Sequence, residues 1–95
     1  MQRVRLTKTR DYVTTVELNN GDTYLSDASW ATSDGYVVHR TTRWLSYGGR
    51  EDHRLGDHMQ KGVQYWVKRK SGYHMACETL RDAREEIAYL RETGR

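Results

Sequence analysis

The sequence predicts an α+β fold: an antiparallel sheet of about five strands with a single C-terminal helix packed on one face. Its C-terminal third carries the prediction. Val63, Tyr65 and Val67 alternate with Gln64, Trp66 and Lys68, the period-two pattern of a strand buried on one side. Ser71-Gly72 offers a tight turn, after which Tyr73, Met75 and Cys77 alternate with His74 and Ala76. Beyond Thr79, the residues Leu80, Ala83, Ile87 and Leu90 recur three or four positions apart on one helical stripe. A helix over 80–92 that lies back across the sheet satisfies both patterns.

Taken in order, Val4 and Leu6 alternate with Arg3, Arg5 and Thr7, which predicts a first strand over 3–8 with a basic outer face. Tyr12 to Leu18 is rich in β-branched residues and predicts a second strand, with Tyr12, Thr14, Val16 and Leu18 on one side. Asn19-Asn20-Gly21-Asp22 is the strongest turn, since Asn and Gly tolerate positive φ. A short third strand, Thr23 to Ser26, returns from it. Residues 27–32 fit neither period, and Ser33-Asp34-Gly35 is a turn. Residues 36–46 predict a long strand whose poor alternation (Val38 with Arg40, Val37 with Arg43) requires a bulge or bend.

Tyr47 to Gly62 contains four glycines, six charged residues and two histidines, with only Leu55 and Met59 to bury. Such a stretch predicts a mobile loop projecting between two strands. The chain therefore reads as one α+β domain over 1–95, with a projecting loop at about 47–62. In the final helix Thr79 is placed to cap, Asp82 suits the positive end of the helix dipole, and Gly94 lies where the helix stops. The predicted core is Val4, Leu6, Val16, Leu18, Val67, Met75, Leu80, Ala83, Ile87 and Leu90.

A chain of 95 residues has one small core. It has no Phe, so seven Tyr and three Trp carry much of the bulk, and their polar tips need partners or water. Cys77 stands alone, which excludes an internal disulfide, and it reads as a small buried core residue. No apolar run approaches the length of a membrane span, and the opening MQRVRLTKTR has no signal-peptide core, so a cytoplasmic location is expected. The net charge of +3 is uneven: residues 1–77 hold twelve basic and eight acidic side chains, whereas 78–92 hold three and five. A basic sheet and a mildly acidic helix permit an anionic partner without demanding one.

Two Asp-His dipeptides, Asp52-His53 and Asp57-His58, carry atoms suited to a transition metal. Their five-residue spacing does not put both rings on one helical face and no cysteine joins them, so neither a metal nor a cofactor is expected. His53 or His58 as acid-base with Arg50 or Arg54 would suit a nuclease, but no nucleophile arrangement or phosphate loop accompanies them, and an enzyme is not expected. The expected partner-binding residues are Trp66, Lys68 and Lys70 on one strand face, with Tyr47, Arg50 and Arg54 from the loop. Trp, Tyr and Arg are the types enriched at interface hot spots, so another protein is the expected partner. Edge-to-edge pairing as a homodimer is a further expectation. Nucleic acid is the second choice: Trp66 between cations could stack a base, with Arg3, Arg5, Arg40 and Arg43 extending the surface.

The order strand, turn, short strand and then Thr79-Leu80-x-x-Ala83-x-x-x-Ile87 across 63–87 resembles many small hairpin–helix domains. The whole chain, without a catalytic signature, resembles small bacteriophage-encoded accessory proteins. The resemblance is one of general character and assigns no residue a role. It implies a protein that binds and inhibits a host protein.

Overall fold

Antiparallel pairing between strands close in the chain builds the sheet. In a computed structural model, residues 3–18, 21–47, 61–69 and 72–94 are described, with backbone alone at 22, 44–47, 61, 74 and 75. The strands among them are β1 (Thr7–Arg10), β2 (Thr14–Glu17), β3 (Asp22–Ala31), β4 (Val37–Tyr47), β5 (Lys61–Arg69) and β6 (Gly72–Cys77), followed by helix α1 (Leu80–Thr93). Gly21 holds φ 89°, a conformation that costs glycine little, and its N–H donates to the Leu18 carbonyl at 3.0 Å. Between β3 and β4, the Thr32 and Tyr36 backbones are joined at 2.9 Å and the Thr32 hydroxyl accepts from the Tyr36 N–H at 3.0 Å.

Every pairing is antiparallel, in the order β1-β3-β4-β5-β6, and β2 also pairs with β3. Thr7–Arg10 lies opposite 29–31 and Thr14–Glu17 opposite 23–26, so β1 and β2 run in tandem along one edge of β3. The sheet thus has about the number of ladder positions that the sequence predicts. The break between β1 and β2 leaves Tyr12 and Val13 exposed. Interrupting an edge in this way removes part of its capacity for pairing with another chain.

Helix α1 packs on β5 and β6. The Thr79 hydroxyl accepts from the Asp82 N–H at 3.1 Å at its start, and Gly94 ends it at φ 71°. The stripe Ala83, Ile87 and Leu90 is buried against Val4, Val38, Val67 and Cys77, with Leu6, Trp30, Tyr36, Tyr65 and Leu80 packed around them. Complete burial of Ile87 or Leu90 contributes roughly 2 kcal/mol each from water exclusion. The Arg91 guanidinium donates to both carboxylate oxygens of Asp34 and so ties the end of α1 to the β3–β4 turn.

The predicted core is buried wherever its side chains are described; Leu6 and Leu80 are half-buried at its margin, and Val38 and Ala28 join it. The Met75 side chain lies outside the described residues. Several boundaries differ from expectation. Residues 3–6 are not a strand: Val4 is drawn under α1 into the core, and the ladder begins only at Thr7. The third strand runs on to Ala31 instead of stopping at Ser26. Asp27 is the extra residue of a bulge between Ser26 and Ala28, and this resets the alternation that the sequence presents. The bend expected in residues 36–46 is present as register shifts along β4. The predicted loop falls mainly on 48–60, outside the described residues.

Candidate functional site

The helix covers one face of the sheet. On the other face, alternation and bulges bring four aromatic rings together from four strands. Tyr24 of β3 lies 5.6 Å from Trp66 of β5, centroid to centroid, and His39 of β4 lies 5.9 Å from Tyr73 of β6. His39 and Trp66 are register partners, which joins the two pairs into one row. Tyr73 comes to this face because β6 carries one extra residue: Trp66 pairs with Ala76, but Lys68 pairs with Tyr73. The sequence predicts that Tyr73 and Cys77 share a side. The bulge separates them, sending Cys77 into the core under α1 and Tyr73 to the opposite face.

Cations rim the row. Lys68 is exposed, and its ammonium lies 5.4 Å from the Tyr73 ring centroid. Arg10 reaches across β3, donating to the Ser26 carbonyl at 3.0 Å and to its hydroxyl at 2.6 Å. Burial pushes His39 down to about 4, and the positive charges of Arg10 and Lys68 act in the same direction. Burial raises the Tyr73 phenol to about 12. At neutral pH the imidazole is therefore uncharged and weakly basic, and the phenol is protonated. Among the described residues, His39 Nδ1 and Trp66 Nε1 are buried without a hydrogen-bond partner.

Trp66 and Lys68 stand together here, as the sequence predicts. Lys70, Arg50 and Arg54 lie outside the described residues, as does the Tyr47 side chain; only the Tyr47 backbone is placed, at the end of β4. Arg40 and Arg3 do not extend this surface. Arg40 projects on the helix side, where it grips Asp27 through contacts of 2.8 and 3.0 Å and lies 5.7 Å from the Trp30 ring. Arg3 lies beside α1. Arg40 takes that side by the unbroken alternation of β4, which it shares with the buried Val38, and the bulge at Asp27 presents a carboxylate to it there.

Tyr24, His39, Tyr73 and Arg10 are the members that sequence reasoning missed. Their only signal is an aromatic or basic residue in each strand. Which side each takes depends on bulges that one strand's sequence does not show. Among the described residues no group of three or more His, Cys, Asp or Glu side chains could hold a metal, and His53 and His58 lie outside them. Cys77 is buried, and burial together with the Glu86 and Asp82 carboxylates pushes its thiol up to about 11, which opposes thiolate chemistry. No helix among the described residues is long and apolar enough to cross a membrane. In comparison with known proteins, the chain matches no family model, no curated protein and no solved structure.

Proposed function

We propose that the protein is a non-enzymatic binding module that docks another protein through the sheet face opposite α1. The observation that carries this reading is the continuous row Tyr24–Trp66–His39–Tyr73, half-buried and rimmed by Arg10 and Lys68. Half-buried aromatic rings held by their neighbours lose little side-chain entropy on binding, and a basic rim selects a partner with an acidic border. The resemblance to phage accessory proteins supplies the biological form of the proposal: a cytoplasmic factor that masks a surface of a host protein and so inhibits it.

A nucleic-acid module is the second reading, favoured by the cations beside Trp66. The ring arrangement weighs against it. A base stacks on an open aromatic face, whereas Tyr24 and Trp66 lean on each other at 50° and the Lys68 ammonium lies over Tyr73.

The test is affinity capture from a lysate with and without nuclease, followed by binding of the captured protein across a salt series. The expected partner survives nuclease. Its affinity depends modestly on salt, falls roughly ten-fold or more in Trp66→Ala, and also falls in the exposed variant Lys68→Glu. Tight binding of single-stranded DNA or RNA that collapses with salt would overturn the proposal. So would turnover of an RNA substrate that is lost in His53→Ala or His58→Ala.

A further inference from the structure

A second surface lies on the far side of the molecule from the aromatic row. A groove of about 440 Å³ runs between Arg3–Val4 and the outer side of α1, where it is lined by Arg84, Glu85, Ala88, Tyr89 and Glu92. Its floor is apolar: Val4 is buried, Ala88 is half-buried, and Tyr89 remains 48% exposed. The charges around it are not used alike. Arg81 pairs with Glu85 at 3.5 Å, and Arg91 is held by Asp34. Among the described residues, Arg84 and Glu92 have no ion-pair partner.

We propose that this groove is a self-association surface whose occupant is a second copy of the chain, with the two α1 helices antiparallel and crossing at Ala88. The spacing of the charges selects this occupant. In an antiparallel pair with a two-fold axis at position 88, a residue four before the axis meets the residue four after it on the other helix. Both lie about 6 Å along the helix from the crossing. Arg84 therefore faces Glu92 of the second copy, and the symmetry makes the pair twice. Ala88 at the crossing lets the helices approach closely, and the exposed Tyr89 ring of each copy has the other's groove to enter.

Net charge points the same way. The chain carries +3, so two copies repel in general. This groove balances Arg3 and Arg84 against Glu85 and Glu92 and is locally neutral. A basic or an acidic partner would match only half of it, whereas a second copy in reversed orientation matches both halves.

Charge reversal tests the geometry. Sedimentation of the wild-type chain over a concentration series is expected to reach the mass of two chains. Arg84→Glu alone sets carboxylate against carboxylate, and Glu92→Arg alone sets guanidinium against guanidinium. Each should weaken association roughly ten-fold or more. The double variant restores opposite charges and should associate like wild type, and the two single variants mixed in equal amounts should prefer each other to themselves. Both positions are exposed, so circular dichroism should be unchanged, and melting should match wild type at concentrations too low for association. A wild-type chain that stays monomeric throughout overturns the proposal. So does a mixture of the single variants that shows no preference, or association broken by Lys68→Glu and untouched by Arg84→Glu. The last result would place self-association on the aromatic face. The other outcomes do not bear on whether that face binds a different protein.

Discussion

Replacing Ile87 with alanine tests the central packing claim, that α1 holds to the sheet through one stripe. Ile87 is fully inaccessible and packs in the cluster that contains Val38, Val67 and Cys77. The change removes three carbons, worth about 0.8 kcal/mol each as buried methylenes, or about 2.4 kcal/mol. The cavity left among β-strand side chains that cannot collapse adds about 1 kcal/mol, giving about 3–4 kcal/mol in all. A domain of this size has about 5–14 kcal/mol of total stability, so the variant loses a large fraction of it. With a urea slope of about 1.5 kcal/mol per molar, the unfolding midpoint should fall by about 2–3 M with the slope unchanged. Arg81→Ala, exposed on the same helix, is the control and should cost less than about 0.5 kcal/mol. Ile87→Asp should not fold at all, since it buries an unpaired charge. Equal midpoints for Ile87→Ala and Arg81→Ala would show that the helix is not docked through this stripe.

Two predictions concern pH. The Arg91 guanidinium, followed by the Thr32 side chain, holds the Asp34 carboxyl at about 2. An NMR titration should find that midpoint in the wild type and a value near the ordinary carboxylate range in Arg91→Ala. A wild-type midpoint near 3.8 would refute the contact. Because the folded value lies below the unfolded one, this tie contributes fully above about pH 4 and is lost as the pH falls through about 2. His39, pushed down to about 4 by burial, also has a folded value below its unfolded one. Its contribution is present above about pH 6.5 and is lost as the pH falls through about 4. Urea midpoints at pH 7 and pH 4.5 should therefore converge more in His39→Gln than in wild type, and an identical pH dependence in both would refute the burial of the ring.

Local chemistry made much of this molecule legible from sequence. The Thr79 cap, the Gly94 stop and the 83/87/90 stripe are each written within a few residues, and a helix is stabilised by neighbours that close together. The Asn-Asn-Gly hairpin and the burial of Val16, Leu18 and Val67 belong to the same class, because turn residues and alternation act over short distances.

Tertiary structure decided which side chains share a face. The extra residue at Asp27 extends β3 through a stretch with no readable period and sets the Asp27 carboxylate beside Arg40 in an ion pair. The extra residue in β6 parts Tyr73 from Cys77 and completes the aromatic row with His39. A period-two pattern reports a face only while its register runs unbroken, and one inserted residue exchanges inside for outside for everything beyond it. Whether a strand takes that extra residue depends on the strand it pairs with. Sequence alone thus determined the elements and most of the core. Pairing between strands distant in the chain determined the aromatic face.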